Sequence, residues 1–126
     1  MKKCIFLSLF TVLILASCGT PVPTGKYSAL AQCLIEKGVK VYGAFWCPNC
    51  AKQKELFGDA RDLIPYVECD PRGENEQSAL CLEKKIEKYP TWIFQDGSEE
   101  VGVTEPEEIA ARAGCSVPID ETKNSQ

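Results

Sequence analysis

One junction in this chain restricts its folding more than any other. Val39-Lys40-Val41-Tyr42-Gly43-Ala44-Phe45, a β-like run with few charges, passes through Trp46-Cys47-Pro48-Asn49-Cys50 into a helix-like run at residues 51–57. A Cys-x-x-Cys set where a strand meets a helix places both sulfurs on one face of the first turn, where unpaired backbone N–H groups favour an anion. Cys47 is expected at or near the N-cap, reachable and with its pKa below that of a free thiol, and Cys50 one turn inside and sheltered. Pro48 suits this register because a first-turn residue has no intrahelical partner for its N–H. The two sulfurs therefore read as a redox pair.

The surrounding pattern supplies the other elements. Tyr27, Leu30, Ala31, Leu34 and Ile35 recur at helical spacing through residues 26–37, and Gly38 is a stop. The strand at 39–45 and the helix at 47–57, ended by Gly58, are followed by a second strand at 64–69 and a turn at Asp70-Pro71-Arg72-Gly73. Asn75 is the expected cap of a third helix whose Ala79, Leu82 and Ile86 face inward while Glu83, Lys84, Glu87 and Lys88 stay wet. Residues 91–94 and 100–103 flank Asp96-Gly97, a dipeptide suited to a tight hairpin with positive φ at both central positions. Thr104-Glu105-Pro106-Glu107 reads as a capping box opening a last helix that runs to Arg112 and closes at Gly114. The order α, β, α, β, α, β, β, α predicts an α/β three-layer sandwich: one central mixed sheet with helices on both faces.

The ends read differently. Residues 1–17 carry Lys2-Lys3 and a short apolar core, the pattern of an export leader, and Leu15-Ala16-Ser17-Cys18 resembles a bacterial lipobox, with Cys18 as the acylated residue. Residues 18–25 are a Pro/Gly-rich tether, 26–115 the folded domain and 116–126 a polar tail. At about 3.3 Å per residue the seven residues after Cys18 reach at most roughly 23 Å, so the domain is expected to ride close to a membrane. The expected location is extracytoplasmic, as a membrane-anchored lipoprotein in the periplasm or at the cell surface, and the expected state is a monomer.

Of eight cysteines, Cys4 leaves with the leader and Cys18 is acylated; Cys33, Cys47, Cys50, Cys69, Cys81 and Cys115 remain. In an oxidising compartment six cysteines read as three bridges, with Cys47 to Cys50 set by the motif. The other four allow three pairings. Cys69 with Cys81 is favoured because the two are closest in sequence and bracket a turn-rich loop, which leaves Cys33 for Cys115. The chain has no histidine, so catalysis by a histidine base is excluded, and a zinc site is disfavoured by a single Cys-x-x-Cys. Net charge is −4, and −6 once Lys2 and Lys3 depart, which argues against nucleic acid as a partner. No cofactor is called for.

Phe45-Trp46-Cys47-Pro48-Asn49-Cys50 and, some forty residues on, Tyr89-Pro90-Thr91 resemble the thioredoxin superfamily. Within it, Ala31-Gln32-Cys33-Leu34, the run from Lys37 to Pro48, Gln53-Lys54, Phe57-Gly58, Val67-Glu68-Cys69 and Tyr89-Pro90-Thr91-Trp92 are similar to the thioredoxin-like domain fused to, or partnered with, bacterial vitamin K epoxide reductase homologues. The resemblance implies Cys47 as the exposed attacking sulfur, Cys50 as the resolving one, and Pro90 as a cis-proline facing the pair. It also implies a structural bridge at Cys69 and Cys81. Trp46, Pro48, Tyr89 and Pro90 are the expected substrate surface. Two departures stand out: Val41 replaces the buried aspartate of cytosolic thioredoxins, leaving no evident proton acceptor for Cys50, and Asn49 replaces the histidine of strongly oxidising relatives. A less extreme potential is expected.

The implied activity is a thiol-disulfide oxidoreductase acting on cysteine-containing exported proteins in the oxidising direction. A membrane quinone-linked reductase homologue would reoxidise it. Two other readings compete: a reductase or isomerase fed by a transmembrane electron donor, and a noncatalytic surface lipoprotein stapled by disulfides. Trp92, Phe94 and Phe57 are expected in the core, with no chemical role.

Overall fold

The computed structural model describes residues 25–118. The leader, Cys18, most of the tether and the last eight residues lie outside that range. Helix α1 (Ser28–Glu36) leads into strand β1 (Lys40–Gly43), helix α2 (Pro48–Leu56), a 3-10 turn (Gly58–Ala60) and strand β2 (Tyr66–Glu68). Helix α3 (Ser78–Glu83), strands β3 (Thr91–Ile93) and β4 (Glu99–Val101) and helix α4 (Pro106–Ala113) complete the order. The sheet order is β2-β1-β3-β4, with β1 parallel to β2 across the α2 crossover and the remaining neighbours antiparallel. This is a thioredoxin-like α/β arrangement.

Strand alternation divides the core in two. Val41 and Trp92 point to one face and pack with Leu30, Leu34, Phe57, Ile109 and Ala113, which come from α1, α4 and the end of α2. Tyr42, Val67 and Ile93 point to the other face and meet Leu80, Cys81 and Ile86 on and after α3. Phe57 sits between Tyr27 and Trp92, with ring centroids 5.8 and 6.0 Å away. Trp92, Phe57 and Phe94 are all buried.

Two disulfides brace this small core. Cys33 on α1 is bonded to Cys115 just after α4, and Cys69 after β2 to Cys81 on α3. Their sequence separations are 82 and 12. By loop-closure entropy these correspond to about 4 and about 3 kcal/mol of denatured-state constraint. The third expected bridge is open: Cys47 and Cys50 are unbonded thiols.

Several local expectations give way to tertiary contacts. Asn75 does not cap α3 but adopts φ +52°; the helix begins at Ser78, whose N–H is accepted by the Glu76 carboxylate at 2.7 Å. Its inward face is also rotated from the expected one. Leu82 is 79% exposed and Ala79 is exposed, while Leu80 and Cys81 turn to the sheet, because the bond from Cys81 to Cys69 fixes the helix about its axis. Ile35 likewise lies on the outer side of α1, half exposed.

The hairpin and the last helix are also built differently. Only Gly97 has positive φ at the tip; Gly97 N–H bonds the Phe94 carbonyl and Phe94 N–H bonds that of Ser98, which makes a three-residue loop closed by a left-handed glycine. The capping box at Thr104 does not form. The N-cap is Glu105, and the Thr104 hydroxyl donates to the Gly102 carbonyl while Gln53 occupies the Thr104 backbone.

Gln53 is the buried polar residue that ties these parts together. Its amide donates to the Thr104 carbonyl at 2.9 Å, and its oxygen accepts from Thr104 N–H at 2.8 Å and from the Trp92 indole at 3.2 Å. One side chain thus links α2, β3 and the approach to α4. Gln53→Leu should destabilise the domain by about 3 kcal/mol, because buried donors and an acceptor lose their partners; urea unfolding of the two proteins, compared at equal slope, measures it.

Candidate active site

The two sulfurs lie where β1 gives way to α2. After Gly43 the chain turns through Ala44-Phe45-Trp46, with Cys47 N–H bonded to the Ala44 carbonyl at 3.0 Å. Cys47 is the N-cap of α2, extended at φ −78° and ψ 117°, and Pro48 occupies the first turn. The Cys47 carbonyl accepts the N–H groups of Cys50 at 3.1 Å and Ala51 at 3.2 Å, so Cys50 sits within the first turn, and the two sulfurs share one buried cluster.

Both are well covered. Cys50 is 3% exposed and Cys47 only 7%, less open than an attacking sulfur was expected to be, because Ala44, Tyr66 and Tyr89 pack around the pair. Burial pushes the Cys50 thiol up to about 12, against a backbone hydrogen bond from Ala44 that favours the thiolate; the neighbouring Cys47 adds to the rise and Lys54 opposes it.

Opposite the pair, the Tyr89–Pro90 peptide is cis, and the Tyr89 carbonyl oxygen lies 3.9 Å from Cys47 Sγ. Trp46 and Phe45 stand out beside it, 55% and 59% exposed. Trp46 crosses Tyr89 edge to face, and its indole N–H donates to Asp70 Oδ2 at 2.6 Å. Asp70 also receives the Arg72 guanidinium, and these donors, Arg72 first, hold its carboxyl well below the usual carboxylate range. Arg72 in turn lies over the Phe45 ring at 5.8 Å. Of the expected substrate-surface residues, Trp46, Pro48, Tyr89 and Pro90 all border the pair, although Pro90 itself is buried. Cys33, Cys69, Cys81 and Cys115 stand apart in the two closed bridges. Among the described residues no cluster of three or more cysteine and acidic side chains could hold a metal ion.

Four residues that sequence reasoning left unassigned belong to this site. Gly43 supplies space: a Cβ there would lie 2.6 Å from Cys50 Sγ and 2.9 Å from the Tyr66 ring. Tyr66 packs against the cluster of Ala44, Cys47 and Cys50, and its hydroxyl is 3.4 Å from Glu68 Oε2. The Lys54 ammonium sits 3.7 Å above the Tyr66 ring. A cleft of about 160 Å³, lined by Phe45, Cys50, Lys54, Arg61 and Tyr66 among others, reaches the inner sulfur from the α2–β2 side. The two-residue period of β2 carries a signal for this arrangement, since it places Tyr66 and Glu68 on one face.

No protein-family model matches the chain. It is 42% identical over 93 residues to the thiol-disulfide oxidoreductase LTO1 of Arabidopsis thaliana, an alignment covering 71% of this chain and 24% of that protein. The relative is named for its redox chemistry. This chain spans about a quarter of its length.

Two outcomes test the geometry. Gly43→Ala should push the Cys50 sulfur out of its seat, costing about 1–3 kcal/mol of stability and slowing closure of the Cys47–Cys50 bond; thermal unfolding and oxidation kinetics read these. The raised Cys50 pKa also fixes a sign: the folded state keeps the thiol protonated where the unfolded chain would already have lost the proton. The contribution is full below the ordinary value of 9.0 and is lost as pH rises towards about 12. Unfolding followed across that range should show the dithiol form losing stability that the Cys47–Cys50 disulfide form retains.

Proposed function

We propose that this chain is a membrane-anchored, extracytoplasmic thiol-disulfide oxidoreductase that oxidises exported proteins through Cys47 and Cys50. The observation that carries the reading is the pairing of the two thiols at the α2 N-terminus, with Cys47 Sγ facing the Tyr89 carbonyl ahead of Pro90. The similarity to a thiol-disulfide oxidoreductase supports the same chemistry.

In the oxidising direction a substrate thiolate attacks Cys47 Sγ of the closed pair. The Cys47–Cys50 bond breaks, Cys50 leaves as a thiolate and takes up a proton, and a mixed disulfide joins Cys47 to the substrate. A second substrate thiolate then attacks the substrate sulfur of that bond. The substrate disulfide forms, Cys47 leaves as a thiolate, and two electrons remain in the protein. A vitamin K epoxide reductase-like membrane partner that passes electrons to quinone would remove them. Phe45 and Trp46, exposed beside Cys47, offer an apolar wall to an extended substrate, and the backbone at Tyr89 offers a carbonyl for it to pair with.

The anchoring half of the proposal rests on the lipobox-like Leu15-Ala16-Ser17-Cys18 and the short tether. Confinement beside a membrane partner raises its effective concentration without further contacts. The opposite direction, reduction or isomerisation with electrons from a transmembrane donor, uses the same sulfurs. Asn49 favours that second reading, because an exposed neutral side chain adds no cationic donor beside Cys47.

The Cys50→Ala variant should accumulate mixed disulfides on Cys47 in cells, visible as species on non-reducing gels that collapse with reductant. Mass spectrometry of the captured chains would identify substrates and reoxidant together. A wild-type pair found wholly reduced at steady state would reject the oxidising direction. Failure to trap any partner, together with no turnover of insulin, would leave the noncatalytic reading.

A further inference from the structure

Whichever way electrons flow, Cys50 alternates between thiol, thiolate and disulfide in every cycle, an inference that rests on the Cys47–Cys50 pair being the reacting one. At 3% exposure, with burial holding it in the thiol form, this sulfur meets solvent only along the narrow α2–β2 cleft, so a side chain fixed beside it is the more direct place for its proton to go. The strand beneath it gives no acceptor, since Val41 is apolar and fully buried. A local acceptor has to come from another element.

Strand β2 supplies one. The parallel register pairs Val41 with Tyr66 and Gly43 with Glu68, and this brings both β2 side chains beside the end of β1. The point where a Gly43 Cβ would lie is 2.6 Å from Cys50 Sγ and 2.9 Å from the Tyr66 hydroxyl oxygen. Those two lengths cap the separation of sulfur and hydroxyl at the reach of one bridging water. The hydroxyl also lies 3.4 Å from Glu68 Oε2.

Glu68 is a carboxylate buried to 7% exposure, and no part of the redox chemistry described so far uses it. Its Oε1 accepts the Asp70 N–H at 2.9 Å, which leaves Oε2 turned to the tyrosine. Gly73 makes room for it: a Cβ there would come within 2.3 Å of Glu68 Cγ. The other charged or titratable groups around Cys50 are Cys47 and Lys54 on α2, Arg61 at the cleft and Tyr89 before β3. Of these, Lys54 stabilises a thiolate without being able to accept its proton while charged, and burial keeps Tyr66 itself in the hydroxyl form.

We propose that Glu68 is the proton acceptor for Cys50, reached through the Tyr66 hydroxyl. When Cys50 resolves a mixed disulfide on Cys47, its proton passes through one bridging water to the Tyr66 oxygen as the tyrosine's own proton passes to Glu68 Oε2. The Cys50–Cys47 bond forms, the bond from Cys47 to the substrate sulfur breaks, and the electron pair leaves on the substrate thiolate. The reverse reaction returns the proton along the same path. Glu68 exchanges it with water through a cleft of about 390 Å³ that it shares with Phe45, Lys54, Tyr66 and Glu74.

The test uses reduced protein mixed rapidly with 5,5′-dithiobis(2-nitrobenzoate). Attack by Cys47 releases one coloured thiolate, and resolution by Cys50 releases a second. Glu68→Gln keeps an acceptor for the Asp70 N–H but cannot take a proton, and Tyr66→Phe keeps the ring under Lys54 but breaks the relay. Both should slow the second release about a hundredfold at neutral pH, the low side of what general acid–base catalysis contributes, with the deficit shrinking as pH rises. The first release should keep its wild-type rate. A wild-type second release with an unchanged pH profile in Glu68→Gln overturns the proposal, and so does a slowing that is independent of pH, which would mark a merely structural role. If Glu68→Gln does not fold, Tyr66→Phe decides alone by the same criteria. Loss of the first release in the wild-type protein would instead reject the assignment of Cys47 itself.

Discussion

Cys50 can lie behind Cys47 only because β1 ends in a residue without a side chain. The sulfur occupies the volume a Cβ at Gly43 would need, and the Tyr66 ring closes the same space from the neighbouring strand. Close packing leaves no slack for a second occupant. Much of the site follows from that one vacancy: the helix can start directly over the strand end, its N-cap sulfur stays next to the inner one, and the inner one is dry enough for its pKa to climb.

Holding this junction in place is a task for the whole domain. A folded unit of fewer than a hundred residues has a modest core, and here the core is further divided between the two faces of a four-stranded sheet. Each face carries its own bridge, Cys33–Cys115 on the side of α1 and α4 and Cys69–Cys81 on the side of α3. Gln53 adds a polar tie inside the first face. It projects from the same helix that presents Cys47 and Cys50, and its hydrogen bonds to Thr104 and Trp92 anchor that helix to the sheet and to the strand–helix link beyond it.

The second bridge also bears on the surface around the sulfurs. Asp70 follows Cys69 directly, and from there it takes the Trp46 indole and the Arg72 guanidinium, while Arg72 covers Phe45. The exposed aromatic residues beside Cys47 are thus steadied by a loop rooted in a disulfide. Large apolar side chains in open solvent gain little from staying ordered unless polar partners hold them. Here the indole hydrogen bond and the cation over the phenyl ring serve that purpose.

Residue order alone was enough to place Cys47 and Cys50 together at the strand–helix junction, the sequence of elements and the mixed sheet, because helix and strand periods, glycine stops and a Cys-x-x-Cys at a strand end are all local signals. Of the three pairings open to the other four cysteines it also favoured Cys69 with Cys81 and Cys33 with Cys115, the two bridges the structure contains. What it could not settle depended on partners distant in the chain. The face of α3 is set by a bond from Cys81 to Cys69, the start of α4 by Gln53 rather than by the local box at Thr104, and the burial of Glu68 by Gly73 and by the register that sets it across from Gly43. A glutamate in a short strand looks solvated from its neighbours in sequence; only the 69–77 loop folded back against it, through Asp70, Gly73 and Gln77, shows that it is enclosed. Local propensity is a weak prior that tertiary contact overrides, and a buried polar group or a special glycine is defined by what surrounds it in space.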